Sequence, residues 1–504
     1  MDRQDQGEAA AEDKTGPLAV LPDDVLADVL RRLPPRGLAV SRCVCKAWLA
    51  VVDARRLLRV DLLPLTLGGF FMNFNNYYIS EFFAPRPVSD GPSISGKHDY
   101  LPEAGCLSWG CVDDHCNGLV LVHSYPDSGD ECRYVLNPAT RWLAPLPPCP
   151  PPPMEIKHTF QFEYLAYDPT ESPYYEVVSI TRFHWVHRPG DCLYDSCRDT
   201  LDPEIEQSEW PPSVCILQVF SSRTEQWEER SFAREGNPIG TVSGMRPDWP
   251  NDQRNAVYWR GALYVHCKTD SVMRISMFSG KYHVIKPPPG IEANGDPQFY
   301  LGKSSKGIYC ASVKGSCRVQ VWNLIESGYQ MVWVLKQDTD LSKLLKHKLE
   351  YSRPCANYGR KIQGPWASQD INYYYDDDRN RDHNMELPAE EKSDLTSQAF
   401  EDEKFAWRSD DEYADYYCGY MEILGFHPCK EIIFLSESIT RGLAYHFNSS
   451  KVEVLGNLYP AGYEKELGNE QVLRSSFPEM LINGVNTMLK VVAKILAAKS
   501  KVED

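Results

Sequence analysis

The 504-residue sequence is short of positive charge: 53 lysines and arginines stand against 70 aspartates and glutamates, a net charge of −17. Such a balance repels phosphate backbones, and no basic stripe offsets it, so nucleic acid is not expected as a direct partner. No stretch approaches about 18 uninterrupted apolar residues, and the opening MDRQDQGEAAAEDKTG is polar where a signal peptide would carry an apolar run. A chain that neither spans a membrane nor follows the ordinary secretory route is expected, resident in the cytoplasm, the nucleus or both. Signatures of catalysis are also missing. No GxSxG, HExxH, phosphate-cradling GxxxxGK or GxGxxG after a strand is counted, and His115, His158, His184 and His187 are scattered rather than grouped. No catalytic residue and no cofactor is therefore expected.

Cysteine is plentiful, with 16 spread from Cys43 to Cys429, but without signs of secretion this favours reduced thiols over a disulfide framework. Cys106, Cys111 and Cys116 lie five apart beside His115, a spacing unlike the close ligand pairs of structural zinc sites. Small buried packing residues are the expectation there, and no metal.

Between Leu21 and Val52 the chain reads LPDDVLADVLRRLPPRGLAVSRCVCKAWLAVV. Asp23 and Asp24 suit a helix N-terminus, and Leu26, Val29, Leu30 and Leu33 follow at helical spacing until Pro34-Pro35 ends the run. A second run holds Leu38, Val40, Val44, Trp48 and Val51, of which Val44, Trp48 and Val51 share a face. Three short helices are predicted. A unit of about 40 residues rarely buries so many apolar groups by itself, so the surplus reads as a docking surface.

Leu21-Pro22, Leu26, Leu30, Leu33-Pro34, Leu38 and above all Val44-Cys45-Lys46-x-Trp48 resemble the F-box. Gly37, between the helices, departs from the pattern and is read as a turn residue. The resemblance implies binding to the Skp-type adaptor of a cullin-RING ubiquitin ligase. It assigns Leu21, Pro22, Leu26, Leu30, Pro34, Val44 and Trp48 to forming or supporting the adaptor surface, Trp48 as internal packing.

Beyond residue 100 short aromatic and β-branched runs recur between turns. Five copies are read. They begin at Gly118-Leu119-Val120-Leu121-Val122, Leu165-Ala166-Tyr167, Gly261-Ala262-Leu263-Tyr264-Val265, Gly307-Ile308-Tyr309-Cys310-Ala311 and Glu431-Ile432-Ile433-Phe434-Leu435, and Leu65 to Phe71 supplies a further set. Units of three or four strands that cannot cover their own faces predict a β-propeller of about six blades, with a β-sandwich as the structural alternative. The arrangement GLVLV then YVLNPATRWLAPLP resembles, more loosely, the propeller-like or kelch-like domain of plant F-box proteins.

The fold class expected is therefore multidomain α+β: a disordered tail over 1–17, a three-helix F-box over 18–60, an all-β propeller-like domain over 61–465, and a C-terminal helix and tail over 466–504. Pro145 to Pro153 reads as a stiff link between blades. An acidic insertion over 366–416 contains, between residues 370 and 415, sixteen acids against five bases, eleven of the seventeen net negative charges. It reads as a solvated loop. Asp376, Asp378 and Asp382 lack the glycine and closing glutamate of a calcium loop. Leu481, Val485, Met488, Leu489, Val492 and Leu496 share a helical face and predict an amphipathic helix.

The function these readings imply is recruitment of an unidentified protein substrate through the propeller and of the adaptor through the F-box, with no catalysis on this chain. A ligase-independent scaffold or a small-molecule or glycan receptor is the alternative.

Overall fold

A computed structural model describes residues 22–33, 38, 41, 44–55, 57, 65–75, 77, 79–86, 94–97, 110–124, 132–151, 158–184, 201–246, 255–291, 298–304, 306–315, 317–327, 330–342, 364–372, 421–437, 441–461, 463 and 473–482. Two compact units divide the chain, one of residues 1–64 with 482–504, the other of Leu65–Leu481.

In the first unit, helix α1 (Asp23–Arg31) starts behind Pro22, whose carbonyl accepts the Leu26 N–H at 3.0 Å. Asp23 and Asp24 occupy its first turn and Arg31 its last, matching the helix dipole at both ends. Helix α2 (Lys46–Ala54) follows, and between the two Leu38 and Ser41 have helical backbone. Leu26, Ala27 and Leu30 of α1 pack with Leu38, Val51, Val52 and Leu57, and Trp48 leans on the cluster. Asp24 pairs with Arg55, tying the start of α1 to the end of α2.

The second unit is almost wholly strand. Strands β3 (Gly110–Cys116), β4 (Leu119–Ser124), β5 (Cys132–Asn137) and β6 (Trp142–Leu146) form an antiparallel meander. Its first turn holds Asn117 at φ 47° and Gly118 at φ 87°, the left-handed pair that matches the twist of a two-residue hairpin. An eight-stranded sheet follows, built from two meanders. One is β7 (Thr159–Ala166), β8 (Glu176–Phe183), β10 (Val214–Ser221) and β11 (Gln226–Glu235). The other is β13 (Ala256–Trp259), β14 (Ala262–His266), β15 (Val272–Ser276) and β16 (Lys281–Ile285). The last strands of the two pair in parallel, Ala233 with Lys281 and Glu235 with His283. The short helix α3 (Pro203–Gln207) and β9 (Glu209–Trp210) lie in the β8–β10 connection, β12 (Gly240–Thr241) and the short helix α4 (Val242–Met245) lie between β11 and β13, and β9 and β12 pair as a two-stranded sheet.

Two further meanders are β17 (Gln298–Ser304) to β20 (Gln330–Asp340), through β18 (Gly307–Lys314) and β19 (Arg318–Ser327), and β22 (Met421–Phe426) to β25 (Lys451–Asn457), through β23 (Ile432–Glu437) and β24 (Arg441–His446). The last sheet has the order β21-β2-β1-β26, from β21 (Trp366–Ser368), β2 (Glu81–Pro85), β1 (Leu65–Phe74) and β26 (Leu473–Ile482). The first and last strands of the unit are thus neighbours, which closes it on itself.

Apolar layers lie between successive sheets. Phe70, Met72, Phe74 and Phe83 pack with Leu424, Phe434 and Leu455, joining the β1 sheet to the β22 sheet. The Trp227 indole donates to the Pro147 carbonyl at 2.9 Å, so the proline stretch ties one meander to the next as a link.

Four expectations are corrected here. Leu481 was assigned to a helix but sits in β26, because this segment completes a sheet with β1; the remainder of the predicted helix, from Val485 on, is outside the described residues. The β unit extends past 465 for the same reason. Trp366–Ser368, read as the start of the acidic insertion, pairs with β2, where Phe83 matches Ser368 and Pro85 matches Trp366. Residues 373–420, which hold the Tyr373 to Asp382 run, are outside the described residues. Nine described cysteines are free thiols, but Cys317 is disulfide-bonded, so not every cysteine is reduced.

Candidate functional site

Two places in the chain present chemistry beyond packing. The first is helix α1, which is apolar on more than one side. Leu26, Ala27 and Leu30 face the small core, while Val25, Val29 and Leu33 form a stripe at i, i+4, i+8 with Val29 50% exposed. Val44, 60% exposed, and Leu49 on α2 are also left uncovered. Of the residues assigned by resemblance, Leu26 and Leu30 lie in the core, Trp48 is half-buried against it, and Pro22 and Val44 are exposed. Leu21, Pro34 and Gly37 are outside the described residues. Val25, Val29 and Leu33 were not singled out for the surface. Their signal was present as a surplus of apolar positions over what one buried face needs, but periodicity alone does not say which face is covered.

The second place is in the β unit, where the first strands of successive meanders touch in order: β3 with β7, β7 with β13, β13 with β17, and β17 with β22. Strand β26 joins them, through a Tyr300 hydroxyl donating to the Ser476 carbonyl at 3.4 Å, a Ser476 hydroxyl donating to the Leu424 carbonyl at 2.7 Å, and an edge contact between His115 and Phe477. A cleft lies against these strands, lined by the end of β3 and its turn, the start of β13, the later half of β17, the end of β22 and Phe477 and Pro478 of β26. Its walls are the rings of Tyr258, Tyr300, Phe426 and Phe477 with Val257, Leu301 and two prolines. Gly302 is required here: a Cβ on it would come within 2.4 Å of the Phe426 ring.

The polar lining is a connected set. Lys303 Nζ donates to Asn117 Oδ1 at 2.8 Å and to the Tyr258 carbonyl at 3.2 Å, while Asn117 Nδ2 donates to the Tyr167 carbonyl at 2.6 Å. Asp114 is buried, and its Oδ2 accepts the Leu165 N–H at 2.7 Å. Burial pushes its carboxyl up to about 8, against the pull of the Leu165 and His115 N–H groups. Burial, helped by the Lys303 charge, pushes the His115 imidazole down to about 3, so the ring is neutral. Two other carboxylates on these inner strands are also raised by burial, Glu422 to about 7 and Glu479 to about 8, and neither Glu479 oxygen has a hydrogen-bond partner.

The remaining candidates from the sequence do not assemble. Cys116 donates to the Tyr167 carbonyl at 3.2 Å, burial pushes its thiol up to about 11 and that of Cys111 to about 12, and among the described residues no three metal-binding side chains meet. His158 and His184 are joined to each other through a backbone hydrogen bond of 2.9 Å at the β7–β8 end, while His187 and Cys106 are outside the described residues. One absence is corrected: Gly91 to Lys97 reads GPSISGK and does satisfy GxxxxGK. His98 follows in place of the Ser or Thr of a phosphate loop, residues 94–97 have no regular structure, and the Gly96 N–H is taken by Gln369 at 2.7 Å.

Comparison with known proteins bears on the first place. Residues 18–59 match the F-box domain model, and the chain carries an F-box domain there. An F-box protein of Arabidopsis thaliana is 24% identical over 371 residues, 68% of this chain and 72% of that protein. An F-box/kelch-repeat protein of the same plant is 28% identical over 178 residues, 32% of this chain and 38% of that protein. Another F-box protein from it is 30% identical over 135 residues, 26% of this chain and 33% of its own length. The chain thus spans most of the first relative but well under half of the other two. Among solved structures, a chain from a study of two prolyl endopeptidases aligns over 90% of this chain and 57% of its own at 9% identity, with a TM-score of 0.27 that carries no argument.

Proposed function

We propose that this protein is the substrate-recognition subunit of a Skp-cullin-F-box ubiquitin ligase in the cytoplasm, the nucleus or both. The observation that carries the reading is the F-box domain over residues 18–59, in which Val25, Val29, Leu33 and Val44 are apolar yet uncovered. A module that buries one side of α1 in its own core and leaves a second apolar stripe outside is built to be finished by another protein.

The six four-stranded groups of the β unit are read as six blades of a propeller, with the eight-stranded sheet counted as two, and the stretch around Leu38 and Ser41 as the third helix of the F-box. Turns on a rigid scaffold then offer the surface that holds a protein substrate. Ubiquitin transfer would rest on proximity: the substrate is held near a conjugating enzyme carried by the same assembly, and this chain supplies no reacting group.

The test is capture of a purified Skp-type adaptor by the full chain, by Leu21→Ala/Pro22→Ala and by Val44→Asp. The wild type is expected to retain adaptor and both variants to lose it by at least about tenfold, the loss of buried apolar contact converted at roughly 1.4 kcal/mol per decade. A folded wild type that retains no adaptor overturns the reading and leaves the ligase-independent receptor in its place.

A further inference from the structure

The cleft beside the inner strands holds a cation and an amide with protons to spare. Lys303 Nζ brings three protons and spends them on two acceptors, Asn117 Oδ1 and the Tyr258 carbonyl. Asn255, only 6% exposed, lines the cleft with an amide Nδ2 that has no hydrogen-bond partner, and His115 Nδ1 is shielded and equally without one. A buried amide proton without an acceptor is unfavourable, and a ligand oxygen in the cleft would satisfy it. The acceptor that would cancel Lys303 is Asp114, but its Oδ2 already takes the Leu165 N–H, and its carboxyl is mostly protonated near neutral pH.

We propose that this cleft binds a carboxylate, anchored on Lys303 with Asn255 as the second donor. The chemistry selects the ligand. A single cation with amide donors matches one negative charge. A phosphate, at about −2, would leave charge unmatched in a place walled by Tyr258, Tyr300, Phe426 and Phe477. Among the described residues no three metal-binding side chains come together to hold a metal ion here. The carboxylate can arrive on a small acid or on the C-terminal end of a chain entering the cleft. The inference rests on the β unit alone and stands whether or not the F-box holds an adaptor.

The test uses the full chain and saturation-transfer NMR at constant ionic strength, with sodium acetate, its neutral isostere acetamide, and the peptide Gly-Gly-Ala as free acid and as amide. Acetate is expected to bind saturably and acetamide at least about tenfold more weakly, a charge-assisted bond being about twice as strong as a neutral one. Lys303→Gln is expected to erase that preference. Equal binding of acetate and acetamide overturns the proposal, as does a folded Lys303→Gln that keeps the preference. The wild-type ratio needs no variant, so the proposal remains testable if Lys303→Gln does not fold. Displacement of acetate by the free-acid peptide and not by its amide assigns the site to chain ends; acetate binding that neither peptide displaces assigns it to small acids.

Discussion

The two units of this chain differ in what they leave unfinished. The helical unit gathers Leu26, Ala27, Leu30, Leu38, Val51, Val52 and Leu57 into a small core and leaves Val25, Val29, Leu33, Val44 and Leu49 outside it. The β unit also leaves apolar side chains exposed, Phe278 at 80% among them, but it buries Phe70, Phe71, Phe82 and Phe83 at 0% exposure and holds polar groups without partners, such as Asn255 and Glu479, inside. A surface finished by a partner shows as exposed carbon, whereas a surface finished by a ligand shows as an internal polar group with nothing to bond. The proposed docking face and the proposed ligand cleft are of these two kinds.

The sharpest way to break the comparison is to remove packing on each side. Phe70 sits edge-on to Phe434 at 5.0 Å and against Trp366 at 6.0 Å. Phe70→Ala is expected to cost about 3–5 kcal/mol, lowering the urea midpoint of the β unit followed by near-UV circular dichroism. Leu30→Ala in the helical core should cost less, about 2–3 kcal/mol, because a small core relaxes around the cavity. A Phe70→Ala midpoint equal to the wild type would mean that the layer between the β1 and β22 sheets is not a shared core.

Next in size is a pH effect confined to the β unit. Burial raises the Glu479 carboxyl from 4.5 to about 8. Between those values the unfolded chain has lost the proton and the folded chain keeps it. The folded state therefore binds more protons, and stability falls as pH rises through the window. Asp114, raised to about 8, adds to the same slope. Glu479→Gln removes its share, so the variant should gain over the wild type by on the order of 1–3 kcal/mol at pH 8 and by nothing at pH 4. Thermal melts of both proteins at the two pH values measure it, and parallel curves would refute the assignment.

Those buried polar groups also explain what the sequence did not make legible. The recurring strand pattern captured β4 to β6, β14 to β16, β18 to β20 and β23 to β25, but in each of these four groups the first strand was missed. The missed strands carry Asp114 and His115 in GCVDDHC, Lys303 in QFYLGKS, and Glu422 in MEILGF, and β13 spans only four residues. Strand signals rest on apolar alternation, and a strand facing a shared centre breaks it with charged groups whose partners come from other sheets. The cleft is built from those strands, so it escaped the same reading. Strand β26 was hidden differently, because Leu473–Ile482 pairs with β1, some 400 residues earlier in the chain, and local spacing contains nothing of such a pairing. The N-terminal helical module was legible as a surplus of apolar positions because that signal lies within about 30 consecutive residues, while the side it leaves exposed was not.

The smallest stability effect is the most discriminating. Val29 is half exposed on α1 while its neighbour Leu30 is 1% exposed in the core, so one residue separates the exposed stripe from the core. Val29→Asp removes no buried contact, and surface changes of this kind shift stability by no more than about 0.5 kcal/mol. An added carboxylate must however be desolvated when a partner covers it, so adaptor retention should fall by at least about tenfold while the melting curve stays in place. Leu30→Ala should reduce both together. Retention that follows stability in both variants would place the partner's contacts elsewhere than the Val25, Val29, Leu33 stripe. Retention lost in Val29→Asp at unchanged stability fixes that stripe as the surface and leaves Leu26 and Leu30 as the packing beneath it.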